Sequence, residues 1–235
     1  MGKLKYLFSN GCSFGGNRGS VNTNTGKEIA DKLSLNHINY SAGGRGNDRI
    51  ISTTKTWFLQ DESRMKNSLA VIGLSSPGRL DFICNVGVGR EVEDLGFSAG
   101  WLTTGFDDVV NNSARLNVFK KKQYVKERMS IEENITLRSI NQTLTLQDFF
   151  KLNNIPYVIF YALPNIFPTS NKEIAILSSQ VDSSNLYVPY GKSQYSWCVE
   201  NKYCIDIEKD QHPNLDGQIL WAEQLFNFME QNKII

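Results

Sequence analysis

Histidine is scarce in this chain: its 235 residues include only His37 and His212. Any chemistry that needs an imidazole must use one of the two, and a histidine-rich metal centre is excluded. The four cysteines, Cys12, Cys84, Cys198 and Cys204, form no C-x-x-C pair, so zinc-site spacing is absent as well. They read as reduced structural thiols, with a Cys198–Cys204 loop closure as the alternative. Excess charge of one sign is also missing, since 25 Lys+Arg face 24 Asp+Glu for a net charge of +1. No strong field is then available to hold nucleic acid or an anionic membrane surface. The only basic run, Lys120-Lys121-Lys122, reads as a solvated turn. No apolar stretch approaches the roughly 20 residues that span a bilayer. No signal-peptide pattern opens the chain, so a cytoplasmic protein is expected. The abundance of Asn and Lys with modest Ala fits an AT-rich genome such as that of a virus, for which virion association is the alternative location.

What is present is an alternation of strands and helices. Leu4–Phe8, His37–Tyr40, Ser68–Leu74, Pro156–Tyr161 and Tyr203–Ile207 read as short apolar strands. Gly26–Leu33, Asn47–Leu59, Tyr124–Leu152 and Asn214–Asn232 carry helical spacing. Near-continuous apolar strands separated by helices imply a parallel sheet covered on both faces. At this length a single domain over residues 1–235 is expected. Two long irregular segments, Pro77–Lys122 and Leu163–Glu200, read as insertions over the carboxyl edge of the sheet, where ligands of such folds bind. Their aromatics, including Trp101, Phe106, Tyr187, Tyr190 and Trp197, suit either a sugar or acyl cleft or packing within the insertions.

The two ends of the chain carry complementary chemistry. After the first strand comes Gly11-Cys12-Ser13-Phe14-Gly15, and before the last helix comes Asp210-Gln211-His212-Pro213. A serine hydroxyl is a weak nucleophile unless an imidazole takes its proton and a carboxylate holds that imidazole in the right tautomer. The first string matches the G-x-S-x-G elbow of α/β-hydrolases, but that fold needs strands before its nucleophile, and only one strand precedes Ser13.

Four short blocks instead resemble the SGNH (GDSL-type) hydrolase superfamily. Gly11-Cys12-Ser13 stands where that family has Gly-Asp-Ser, and Asn39–Asp48, with Gly43-Gly44-Arg45-Gly46-Asn47, resembles the second block. Ile72-Gly73-Leu74-Ser75-Ser76 resembles the third block, and Asp210-Gln211-His212-Pro213 with Gly217 and Trp221-Ala222 the last. The resemblance implies a three-layer α/β/α sandwich around a five-stranded parallel sheet, flavodoxin-like. It also implies a serine ester hydrolase that needs no metal or organic cofactor. Ser13 is then the nucleophile, His212 the general base and Asp210 its orienting acid, with Asp206 and Glu208 as fallback acids. The backbone N–H groups of Ser13 and Gly44, helped by Ser75 or Asn47, would hold the oxyanion. Arg79, Trp101, Tyr190 and Trp197 are the expected substrate-side residues, with Arg45 and Arg79 alternatively ion-paired at the surface.

Two departures stand out: Ser75 occupies the position of the family's third-block asparagine, and Lys209 occupies its usual aspartate position, leaving Asp210-x-His212. The implied substrate class is an esterified carbohydrate or another small ester. A degenerate carbohydrate-binding or virion module, and an O-acyltransferase using the same triad, are the alternatives. The sequence sets no oligomeric state.

Overall fold

Seven consecutive buried residues, Ser68–Leu74, form the middle strand of the molecule. They are buried on both faces because both faces are covered. The computed structural model describes residues 4–16, 21–84, 100–104, 132–165 and 170–235. In chain order, the described strands and α-helices begin with β1 (Tyr6–Gly11), α1 (Thr25–Leu33), β2 (Asn36–Asn39), α2 (Asn47–Leu59), α3 (Glu62–Asn67) and β3 (Ser68–Leu74). They continue with β4 (Leu80–Cys84), β5 (Gly100–Thr104), α4 (Glu132–Leu152), β6 (Tyr157–Tyr161), α5 (Lys172–Ser178) and β7 (Leu186–Tyr187). The last are α6 (Gln194–Glu200), β8 (Cys204–Asp206), β9 (Asp210–Pro213) and α7 (Leu215–Gln231).

Side chains alternate across a strand, and here the alternation feeds two separate cores. Leu7, Leu69, Val71, Val158 and Phe160 point to one face, where they pack with Ile29 and Ala30 of α1 and Trp221, Ala222 and Leu225 of α7. Phe8, Ala70, Ile72, Tyr157 and Ile159 point to the other, where they meet Ile50, Trp57 and Phe58 of α2 and Leu146 and Phe150 of α4. The result is an α/β/α sandwich. Trp221 is fully buried, and truncating it to alanine would cost about 3–5 kcal/mol.

All four pairings in the main sheet are parallel, in the order β2-β1-β3-β6-β7. Counting only these strands along the chain, the order is 2-1-3-4-5, the flavodoxin-like arrangement. Chain order reverses between β1 and β3, and folds of this kind bind ligands beyond the carboxyl ends of the strands that flank such a reversal. Gly11 pairs with Gly73 at that edge. Ser13 and Ser75 lie just beyond it, after the ends of these neighbouring strands.

The fifth strand is not the one the sequence suggests. Tyr203–Ile207 does not join the sheet; Cys204–Asp206 pairs antiparallel with Asp210–Pro213 in a separate ribbon. The edge position is taken by Leu186–Tyr187, inside the segment read as an insertion. A two-residue strand is too short to give a periodic signal. Leu163–Glu200 therefore supplies a sheet strand and the helices α5 and α6 rather than a simple cover. Part of the other segment, Pro77–Lys122, forms the β4–β5 hairpin. The helix expected over Tyr124–Leu152 is described from Glu132, and its expected apolar terminus Leu152 is 83% exposed. Among the described residues, no helix is long and apolar enough to cross a membrane.

Candidate active site

The first strand ends at Gly11, and the chain turns sharply through Cys12–Gly16. The N–H of Gly15 donates to the carbonyl of Cys12 at 3.1 Å, and that of Gly16 donates to the carbonyl of Ser13 at 3.4 Å. The turn must be tight: a Cβ on Gly15 would lie 2.5 Å from Ser41 Oγ. This geometry lifts Ser13 out of the sheet edge, while Cys12 and Phe14 on either side are buried.

His212 comes from the opposite end of the chain, on β9. Its Nδ1–H donates to Asp210 Oδ1 at 2.6 Å, and Ser13 Oγ–H donates to its Nε2 at 2.7 Å. The tautomer follows from the partners. A carboxylate only accepts, so the ring proton sits on Nδ1 and Nε2 keeps the lone pair that faces Ser13. Asp210 Oδ1 also accepts the backbone N–H of His212 at 3.2 Å, which ties acid and base together locally. The Phe14 ring lies 4.8 Å from the imidazole, tilted by 35°. The other acids sit elsewhere: Asp206 Oδ1 accepts the N–H groups of Glu208 and Lys209, closing the β8–β9 turn. Burial raises the Cys204 thiol on this ribbon, and the Asp210 carboxylate adds to the rise. Burial likewise pushes Cys198 up to about 12, so both thiols stay protonated and inert.

Gly44 is exposed with φ +77, a left-handed conformation that favours glycine. Among the described residues, no acceptor meets the N–H of Ser13 or of Gly44. The other two expected oxyanion donors are differently placed. Asn47 is fully buried at the start of α2; its Oδ1 accepts the N–H of Ser75 at 2.7 Å, and its Nδ2 donates to Gln142 Oε1 at 3.0 Å. Ser75 is also fully buried, and its Oγ accepts Arg79 Nη1 at 3.0 Å. Both side chains thus belong to a buried polar network, extended by Asn165 and by the Arg138–Asp48 ion pair.

The substrate-side expectations divide. Arg79 is half-buried and also donates to the Arg45 carbonyl at 3.3 Å, at the floor of the glycine loop. Arg45 is not a surface group: it is 2% exposed, with its guanidinium donating to Asn10 Oδ1 and to the carbonyl of Tyr40. Trp197 is a correction. It packs in the core against Trp221 and Tyr203, with 9% of its surface exposed, because α6 packs on β9 and turns this ring inward onto Trp221. Tyr187 joins the same core, whereas Tyr190 is 93% exposed on a left-handed turn. The side chain of Trp101 and the whole of Phe106 lie outside the described residues.

The β4–β5 hairpin is anchored at this edge. Asp81 Oδ1 and Oδ2 accept the N–H groups of Gly46 and Arg49 at 3.1 and 2.9 Å, capping α2 from 35 residues away in sequence. Gly46 itself has no side chain to do this.

His37 has no part in this site. Its Nε2 lies 2.8 Å from Ser9 Oγ, on the α1 face of the sheet. Burial, reinforced by the Lys27 charge, lowers its pKa to about 4.

A profile of DUF6071, described as a family of unknown function, matches residues 20–235. The chain belongs to the DUF6071 family. The matched region includes Asp210 and His212 and begins after Ser13. No curated protein matches significantly. Among solved structures, the chain is similar to the psychrotrophic esterase EstA from Pseudoalteromonas sp., at 12% identity and TM-score 0.46 over 97% of each chain. It is similar to a GDSL-like lipase from Parabacteroides merdae at 12% identity and TM-score 0.46, over 99% of this chain and 97% of that one. A G-D-S-L family lipolytic protein from Desulfitobacterium hafniense is 11% identical with TM-score 0.39, over 95% and 99% of the two chains.

Proposed function

We propose that this protein is a serine ester hydrolase of SGNH type. The observation that carries the reading is the unbroken line from Ser13 Oγ through the His212 ring to Asp210, with both hydrogen bonds under 3 Å. Ser13 Oγ attacks the ester carbonyl carbon while its proton passes to His212 Nε2. Asp210 stabilises the imidazolium that forms. The tetrahedral oxyanion is held by the N–H groups of Ser13 and Gly44. Collapse breaks the bond to the alkoxy oxygen, and His212 returns the proton to the departing alcohol. Water then gives a proton to His212 and attacks the acyl-serine, and the acid leaves as Ser13 Oγ takes that proton back.

The oxyanion site rests on two backbone donors, because Asn47 commits both ends of its amide to buried partners and the Ser75 hydroxyl is fully buried. Loss of a third donor lowers the rate by roughly 10²–10³ in enzymes that have one. A slower enzyme is expected, not an inactive one, because nucleophile, base and acid remain aligned. Arg79, half-buried beside the glycine loop, is the polar substrate-side residue of this reading, and an O-acylated carbohydrate is its substrate class. The test is labelling by a fluorophosphonate together with hydrolysis of short aryl esters. Wild type should do both and Ser13→Ala neither. Absence of both in wild type would favour a binding module that retains the triad geometry without the reaction.

A further inference from the structure

Three carbonyls follow one another through the nucleophile turn. Those of Cys12 and Ser13 are held by the turn's own N–H groups, from Gly15 and Gly16. The third, on Phe14, is held by a side chain 204 residues away: Gln218 Nε2 donates to it at 2.9 Å. Gln218 lies one turn into α7, the helix that begins directly after the His212 strand. Its other end is fixed too, since Gln218 Oε1 accepts the N–H and the hydroxyl of Thr25 at 3.1 and 3.0 Å. The Thr25 backbone N–H can only donate and the Phe14 carbonyl can only accept, so the amide cannot flip, and Nε2 must face Phe14. Gln218 is 2% exposed on an otherwise apolar helix face. A buried amide there is tolerated only because these bonds satisfy it.

We infer that Gln218 is a positioning residue that sets the Ser13–His212 separation by bracing the nucleophile turn against the helix that follows the base. The inference rests on the esterase reading for its meaning, though not for its test. The brace acts at the right place. Phe14 adjoins Ser13 in sequence, and its ring packs on the His212 imidazole. Releasing its carbonyl frees the turn to rotate, which moves Oγ relative to Nε2. A misplacement of about 1 Å at such a pair costs on the order of 100-fold in rate.

The experiment compares wild type, Gln218→Met and Ser13→Ala by side-chain ¹⁵N NMR of the histidines, by thermal melting, and by turnover per probe-titrated site. With two histidines in the chain, the His37→Gln variant assigns the spectrum. In Gln218→Met the His212 Nε2 signal is expected to move towards its position in Ser13→Ala. Turnover per titrated site should fall about 10–100-fold while KM changes less than about 3-fold. A purely structural role would lower the melting temperature and the titratable fraction but leave the His212 signal and per-site turnover in place, and that result overturns the inference. Should Gln218→Met fail to fold, Thr25→Val removes one of the two donors to Oε1, whereas Thr25→Ser keeps both. Thr25→Val should shift the His212 signal partway and Thr25→Ser should not; identical spectra for the two would overturn the brace. If wild type takes no probe and turns over no ester, the esterase reading falls, while the His212 signal still decides the role of Gln218.

Discussion

Ser13 Oγ and His212 Nε2, 199 residues apart in the chain, meet at 2.7 Å. Ser13 stands on a turn that belongs to the main sheet, and His212 on a ribbon that does not. Their contact is therefore a product of how the ribbon docks: Tyr195 of α6 donates its hydroxyl to Gln211 Oε1 at 2.6 Å, and Asn214 accepts the N–H of Gly217 to start α7.

The acid of the proposed triad should be identifiable by substitution. Asp210→Asn is expected to lower kcat by about 10³-fold or more with little change in KM, because an amide can hold the imidazole in the wrong tautomer. Asp206→Asn should stay within about 3-fold of wild type, since Asp206 serves the β8–β9 turn. Steady-state kinetics on aryl esters decides between them; an inactive Asp206→Asn beside a normal Asp210→Asn reverses the assignment.

Ser75→Ala should have a small effect, within about 3-fold on kcat, because the hydroxyl is fully buried and accepts from Arg79. An oxyanion donor would instead cost roughly 10²-fold or more. A loss of that size would show that Ser75 reaches the reacting oxygen.

Gly44→Ala tests the second of the proposed backbone donors. The added methyl meets nothing within 4 Å, so only the positive φ is penalised, by about 1 kcal/mol. The melting temperature should fall by a few degrees. The rate should fall more than that strain explains, because relaxing φ turns the N–H away. Gly43→Ala, with open space and no positive φ, is the control. Equal rates in the two variants would remove Gly44 from the oxyanion site.

His37 should shape stability rather than activity. Its folded pKa, about 4, lies below the ordinary 6.5 because burial disfavours the charged ring. Unfolding therefore takes up a proton between these values, so stability falls as the pH drops from about 6.5 towards 4 and this contribution levels off below. Urea midpoints at pH 7 and pH 5 should drop more in wild type than in His37→Gln. Equal slopes would mean that the ring titrates in the folded state as it does in the unfolded chain, and that burial does not disfavour its charge.

Much of the scaffold is legible locally. Ser68–Leu74 and Asn47–Leu59 are read from the sequence with the bounds seen in the structure, because long runs with a clear period carry their own signal. Elements decided by tertiary context are not. Trp197 looks like a cleft aromatic until its ring is seen stacked on Tyr203 and against Trp221 in the core, and Gln218 is a polar residue whose spacing to Trp221, Ala222 and Leu225 marks a buried face without naming its partners. Asn47 and Ser75 look available as donors until their buried bonds are traced.

By itself the sequence determined the chemistry on offer: one serine on a glycine-rich turn, two histidines, an acid beside one of them, and alternating elements that must bury a parallel sheet. Side-chain type and local periodicity are enough for that. Only the tertiary structure decided which strand closes the sheet and that Ser75 and Asn47 turn inward. Those outcomes depend on packing between segments far apart in the chain, where a two-residue strand or a single buried amide leaves no periodic trace.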